Sequence, residues 1–395
     1  MIPPFSFASI PHIIFGAGKL NELYDIILKF GTKVLFVIGG SSLKQSGKWY
    51  EIASKLEEKS IEFFLATISA EPSPTVIDDI VAKFRAKNVK CIVGIGGGSV
   101  TDAGKAISAM LTKEDSIKNY LEGVGIKTHD GKKIPYIAIP TTSGTGSEAT
   151  KNAVISEVGS TGFKKSLRHD NLIPNFAIID PELMISCPSS VSAACGMDAF
   201  TQLLEAFVSS KAIPITDALA YSGMKYMSKN ILLACSTGAS DVNVRGAMAY
   251  GSLISGIVLA NAGLGIIHGL ASPIGGYFDI PHGLVCGTLL AEATKKNIEA
   301  LQKQGPEGEL GLKKYAQVGA LLKGKEFVEE IMILEYCLEL IEILEKWTKS
   351  LKIDRLGKYG IEEEHIGKIV ENAGLKNNPV KLNNEIIKRI VFERL

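Results

Sequence analysis

The chain has 395 residues, 46% hydrophobic and 22% charged, with a formal net charge of +1. That length exceeds one ordinary core and suggests two domains, and the composition is that of a globular chain, not a disordered one. A charge so near neutrality provides no basic surface for nucleic acid or an anionic membrane, and neither is expected as a partner.

The first segment, "MIPPFSFASIPHIIFG", lacks the basic region and apolar run of a secretory signal. The most apolar stretch, "YGSLISGIVLANAGLGIIHGLASPIGGYF", is interrupted by glycines, Asn261, His268 and Pro273, so it reads as a buried helix and loop, not a membrane span. The six cysteines are scattered without a CxxC pair and read as free thiols in a reducing compartment. A cytoplasmic location is the expectation.

From residue 32 onward, short β-branched runs alternate with helical patterns. "TKVLFVIG", "IEFFLATI", "VKCIVGIG", "IPYIAIP" and "NFAIID" read as strands; "GKWYEIASKLEEKS" and "TVIDDIVAKFRAK" read as helices between them. This alternation predicts βαβ units around a parallel sheet. After Pro181 the strand signals cease. "PSSVSAACGMDAFTQLLEAFVSS", "PITDALAYSGMKYMSKNILLAC" and "NVRGAMAYGSLISGIVLANAGL" read as helices, and a last one is expected to start near Asn383. The predicted architecture is an α/β dinucleotide-binding domain, residues 1–183, followed by an all-helical metal-binding domain, residues 184–395. The boundary falls near residues 181–188.

Three turns at strand ends suit a nucleotide. In "CIVGIGGGSVTDAGKAISAM" the glycines Gly96, Gly97 and Gly98 and then Ser99 let backbone amides approach a pyrophosphate at a helix N-terminus. The stretch fits neither GxGxxG nor the Walker pattern, and a tight turn without ligand is the competing reading. "IPTTSGTGSEAT" brings hydroxyls, among them Thr141, Thr142 and Ser147, to the end of another strand. "FVIGGSSLKQSG" places Gly39, Gly40, Ser41, Ser42 and Lys44 where dinucleotide enzymes carry an acid for the ribose 2′-hydroxyl. Without that acid a 2′-phosphate is tolerated. The cofactor is NAD or NADP, with a lean to NADP.

"AGLGIIHGLASPIGGYFDIPHG" carries His268 and His282 in an otherwise apolar stretch. Pro273, Gly275, Gly276 and Pro281 are expected to break the helix, so that His268 ends one helix and His282 opens the next. The competing reading is two buried histidines satisfied by carbonyls. Asp198 and Gln202, four residues apart on one helical face, add a carboxylate that would be costly to bury alone. One carboxylate and two imidazoles can hold a divalent metal with a position left for substrate. Gln202 could supply a carbonyl oxygen or orient a water.

Together "GGGSVTDAGKA", "IPTTSGTGSE", "IIDPEL", "GMDAFTQLLEAFVS" and "GLGIIHGLASPIGGYFDIPHGL" make the chain resemble the iron-containing (group III) alcohol dehydrogenase family, from "IIFGAG" to "KNNPV". The resemblance implies a Rossmann-like N-terminal domain, a C-terminal helical bundle and a metal in the cleft between them. It puts the ligands on Asp198, Gln202, His268 and His282, with Fe2+ expected and Zn2+ the alternative. Many members have histidine at the position of Gln202 and again at that of Ser272. It implies hydride transfer between NAD(P)H and a small alcohol or aldehyde, catalysed around Asp198, His268 and His282. Gly96 to Ser99 and Asp102 would hold the pyrophosphate, and Thr141, Thr142 and Ser147 would line the ribose and nicotinamide path. In "GFKKSLR", Lys164 matches a family lysine near the ribose more closely than Lys165. A homodimer is expected. The runner-up is a glycerol or other polyol dehydrogenase; a non-catalytic nucleotide-binding protein is more distant.

Overall fold

The computed structural model describes residues 2, 4–325 and 330–395. Among the described residues, eight strands form two sheets: β1 (His12–Phe15), β2 (Lys33–Gly39), β3 (Glu62–Ile68), β4 (Cys91–Gly96), β5 (Tyr136–Pro140), β6 (Asn152–Glu157), β7 (Phe163–Arg168) and β8 (Phe176–Ile179). Six of them make a parallel sheet in the order β1-β8-β5-β4-β2-β3. Its central strands are buried on both faces, which is why they read as unbroken Val/Ile/Leu runs rather than alternating patterns.

The helices between these strands are α1 (Leu23–Leu28), α2 (Ser42–Gln45), α3 (Lys48–Glu58), α4 (Pro74–Phe84) and α5 (Gly98–Met110). One apolar cluster joins α1 and α3 to one face of the sheet; another joins α4 and α5 to the opposite face. The chain steps from β2 outward to β3, then returns to β4 on the other side of β2. Open α/β sheets bind ligands at such a reversal, outside the carboxyl ends of the strands. The loops after β2 and β4 flank it, and the loop after β5 lies next along.

Beyond β8 come α6 (Ser189–Val208), α7 (Pro214–Ala234), α8 (Val242–Ala262), α9 (Ile266–Tyr277), α10 (His282–Lys303), α11 (Glu309–Leu322), α12 (Ile333–Ser350), α13 (Glu363–Glu371) and α14 (Asn384–Phe392). They share the largest apolar cluster. α8 is long and apolar enough to cross a membrane by length and composition, but most of it is buried among the other helices. α14 opens as expected, with the Asn383 side chain accepting from the backbone N–H of Ile386 at 2.9 Å.

Three features depart from the sequence reading. β1 is a four-residue strand, too short to leave a pattern. β6 and β7 form an antiparallel hairpin whose second strand is "FKKSLR", polar and without alternation. His268 does not end a helix: it lies in the first turn of α9, which continues through Pro273. An internal proline costs roughly 3 kcal/mol. The helix persists because Ile266, Ile267, Leu270, Ala271 and Ile274 are all buried around it.

Candidate active site

The glycine turn opens α5 with Gly97 as N-cap and no side chain capping it, so first-turn amides are left for a ligand. Gly97, Gly98 and Ser99 are half-buried, at the mouth of the sheet. Gly98 has a second reason to be glycine, since a Cβ there would lie 2.6 Å from Thr145 Cγ2. The β4 turn therefore packs directly on the hydroxyl-rich loop after β5. In that loop Thr141 and Thr142 are half-buried, and Ser147 is buried. After β2, Gly39 is half-buried while Ser41 and Ser42 are exposed.

Asp102 and Ser147 face each other rather than open space. Ser147 Oγ donates to Asp102 Oδ1, and both sit beside Lys105. Lys105 is fully buried; its ammonium donates to the Ser147 carbonyl at 2.8 Å, Ser147 Oγ at 3.1 Å, Thr150 Oγ1 at 2.9 Å and the Asn152 carbonyl at 2.6 Å. Burial pulls the Lys105 ammonium down to about 8 and pushes the neighbouring Glu148 carboxyl up to about 7. Lys105 thus pins the loop to α5, and Asp102 is its counter-charge.

The loop is also seated on the helical bundle. A Cβ on Gly144 would lie 2.8 Å from Cys195 Cβ of α6. Gly146, at φ +60°, has its carbonyl 2.1 Å from where a Cβ on Gly256 of α8 would stand. Cys195 is one turn before Asp198. The strand-end loops and the metal candidates therefore share one helix.

Asp198, His268 and His282 come from α6, α9 and α10. His268 Nε2 is 3.3 Å and His282 Nε2 3.9 Å from Asp198 Oδ1. With Cys286 Sγ, their donor atoms all lie within 4.8 Å of one another. α6 and α10 approach closely because residue 283 is glycine: a Cβ there would be 2.4 Å from the Ala194 carbonyl oxygen. His268 Nδ1 bonds Glu205 Oε2 at 2.6 Å, while Glu205 Oε1 accepts the Ile267 N–H at 2.7 Å. With Nδ1 donating to that carboxylate, the Nε2 lone pair faces the cluster, an arrangement typical of metal-ligating histidine. Burial, reinforced by the Lys164 ammonium, pushes the His282 imidazole down to about 3, so it is neutral and able to ligate. Burial would raise Asp198, but positive charge shared by the His282 and His268 rings and the His268 hydrogen bond hold it down at about 2, and His268 is raised well above the usual imidazole range in return. A charged carboxylate and two imidazole nitrogens, with a cation displacing the proton that the acids around it favour on His268, are the donor chemistry a divalent metal requires, and these residues fit one.

Gln202 lies next to this group. Its Nε2 donates to Asp198 Oδ1 at 3.3 Å and its Oε1 accepts from Ser255 Oγ at 2.9 Å. Lys164, on the β6–β7 hairpin, is largely buried and paired with Glu71, which also accepts from Ser156 Oγ at 2.7 Å; Lys165 points to solvent. Ser272 Oγ donates to the Lys164 carbonyl at 3.1 Å, tying α9 to that hairpin. The sequence reading missed Cys286, Glu205, Glu71 and Lys105. For Cys286 and Glu205 a signal existed, spacings of four residues from His282 and seven from Asp198. Glu71 and Lys164 are 93 positions apart, and nothing local links them.

The profile described as iron-containing alcohol dehydrogenase matches residues 11–181, and that of the Fe-containing alcohol dehydrogenase family, C-terminal, matches residues 192–394. The chain is 32% identical over 370 residues to long-chain-alcohol dehydrogenase 1 of Geobacillus thermodenitrificans, covering 93% of this chain and 89% of that one. It is 29% identical to the NAD-dependent methanol dehydrogenase of Bacillus methanolicus, over 92% and 91%. A crystal structure of an archaeal halo-thermophilic Red Sea brine pool alcohol dehydrogenase superposes with a TM-score of 0.89 at 27% identity, covering 100% and 99% of the two chains. With both halves matched and the sheet and bundle in place, the chain belongs to the iron-containing alcohol dehydrogenase family and is an oxidoreductase acting on alcohols.

Proposed function

We propose that this enzyme holds a divalent cation through Asp198, His268 and His282 and transfers hydride reversibly between NAD(P)H and a small aliphatic alcohol or aldehyde. The observation that carries the reading is the convergence of those three side chains, from three helices, beside the loop after β5, which packs on the β4 turn at the reversal point of the sheet. When bound, the cation supplies Lewis acidity toward the substrate oxygen, and the nicotinamide accepts the hydride in alcohol oxidation and supplies it in aldehyde reduction. The protein's part is to orient and to keep water out. Glu205 fixes the His268 ring; Glu71 fixes Lys164 next to the cofactor path; Gly97 to Ser99 offer backbone amides to the pyrophosphate, with Thr141 and Thr142 beyond. Asp102 and Ser147 act one layer behind, through Lys105. The gap between the two matched stretches supports a domain boundary at residues 181–188.

The loop after β2 carries no acid, and this supports acceptance of NADP as well as NAD. The half-buried Phe163 and the apolar α9 wall support a short, mostly aliphatic substrate. Steady-state oxidation of 1-butanol and of 1,3-propanediol with each cofactor, after removal and return of Fe2+ or Zn2+, tests the reading. Turnover that vanishes with chelation and returns with metal is expected. No turnover with any alcohol, cofactor or metal would overturn it.

A further inference from the structure

Cys286 is fully buried on α10, one turn after His282 and on the same helical face. Its Sγ lies 3.6 Å from His268 Nε2 and 3.8 Å from His282 Nε2. Its polar contacts are these two imidazole nitrogens and the Asp198 carboxylate, although apolar neighbours such as Val285 and Leu289 surround it along the helix.

The distances can be set against what an ion requires. Zinc bonds imidazole nitrogen and carboxylate oxygen at about 2.0–2.1 Å and thiolate sulfur at about 2.3 Å, in a tetrahedron. Tetrahedral angles then separate nitrogen from oxygen by about 3.3 Å and nitrogen from sulfur by about 3.6 Å. The observed separations are 3.3 and 3.9 Å for nitrogen to oxygen. For nitrogen to sulfur they are 3.6 and 3.8 Å. Three of these four edges match a tetrahedral zinc site to within about 0.2 Å, and the fourth, His282 to Asp198, must close by about 0.6 Å.

As placed, Gln202 turns its amide nitrogen, and not its oxygen, toward Asp198. Its amide bridges Asp198 and Ser255, with nitrogen toward the carboxylate and oxygen toward the hydroxyl. An amide NH2 has donors and no lone pair to offer.

We propose that the Cys286 thiolate is the fourth protein donor to the resting metal, at a corner that substrate oxygen displaces or joins as a fifth donor, and that it turns the site toward Zn2+ and away from Fe2+. The inference rests on the metal reading given above. Thiolate is a soft donor that selects zinc among the divalent ions available, whereas a set of nitrogen and oxygen alone suits iron as well. On binding, the thiol gives its proton to the buffer and sulfur donates a lone pair to the cation; no oxidant or reductant is involved. Gln202 then orients Asp198 rather than ligating.

The full-length protein, stripped by a chelator and reloaded with Co2+, tests this through its absorption spectrum. A near-ultraviolet sulfur-to-cobalt band together with visible tetrahedral bands is expected, and Cys286→Ser should lose the first while keeping cobalt in the second. X-ray absorption on the wild-type zinc form needs no variant and should show one sulfur at about 2.3 Å. Zinc affinity should fall more than about a hundredfold in Cys286→Ser, beyond the 10–100-fold typical of outer-shell losses. Cobalt bound without the sulfur band, with affinity lost in Gln202→Leu instead, would overturn the role of Cys286 and leave the metal reading standing. Failure of the wild type to bind any divalent metal would overturn both.

Discussion

Adding one methyl group at residue 283 tests how the metal donors are brought together. A Cβ on Gly283 would lie 2.4 Å from the Ala194 carbonyl oxygen, 2.7 Å from its carbon and 3.3 Å from Asp198 Cβ. A comfortable carbon-to-oxygen contact is about 3.3 Å, so α6 and α10 must separate locally by about 0.9 Å. His282 immediately precedes this residue and Asp198 is directly opposite, so the 3.9 Å between His282 Nε2 and Asp198 Oδ1 would widen by a similar amount. Metal sites tolerate errors of only about 0.2 Å in ligand distance. In Gly283→Ala the metal content after dialysis, read by ICP-MS, is expected to fall well below one per chain. Overpacking should lower the metal-free protein's stability by about 1–3 kcal/mol, measured by denaturant unfolding. Gly367→Ala is the control, because nothing lies within 4 Å of its Cβ position. Full metal content with unchanged affinity in Gly283→Ala would refute the idea that this glycine sets the spacing of the donors.

His268→Ala and His282→Ala are each expected to lose metal while retaining cooperative circular-dichroism melts, and unchanged metal in both would remove the site assignment. Gly39→Asp should raise the NAD-to-NADP ratio of kcat/KM on the order of tenfold, equivalent to ~1.4 kcal/mol. A Cβ there meets only Val100 Cγ2 at 3.8 Å, so the side chain fits, and an unchanged ratio would count against this loop as the 2′-site. Glu148→Gln probes the buried charge layer. Burial and the Asp102 carboxylate hold Glu148 up to about 7, against an ordinary value of 4.5. A raised folded value means the proton stabilises the fold below the unfolded pKa, and that contribution is lost as pH rises through about 7. The Tm advantage of Glu148→Gln over wild type should therefore grow from pH 4.5 to above 7, and a difference flat across that window would show that Glu148 does not titrate there.

Much of this architecture was legible because strong local patterns coincide with tertiary demand. The strands β2, β4 and β5 are buried on both faces and cannot be anything but apolar runs; α6, α7 and α8 carry long apolar stretches with no proline inside them. Asp198, His268 and His282 stood out because charge and imidazole are costly in apolar surroundings without a partner. What escaped notice depends on non-local contacts. The hairpin β6–β7 buries only Ala153, Ile155 and Leu167 in the cluster with α4 and α5, and the polar rest of β7 ties that cluster to α9. α9 keeps Pro273 because packing outweighs the lost hydrogen bond. Asp102 was expected at the pyrophosphate, yet its partner Ser147 is 45 residues away and Lys105 reaches four groups from that distant loop. Cys286 looked like one more buried thiol until His268, 18 residues earlier, was placed beside it.

The central claim is a divalent cation held by Asp198, His268 and His282 facing a nicotinamide on the sheet. Anomalous diffraction at the metal absorption edge, from crystals grown with metal and cofactor, tests it most directly. One peak among those three side chains, with the nicotinamide ring directed at it from the loops after β4 and β5, is the result the account predicts. A peak elsewhere, or none with the three side chains still converging, would contradict it.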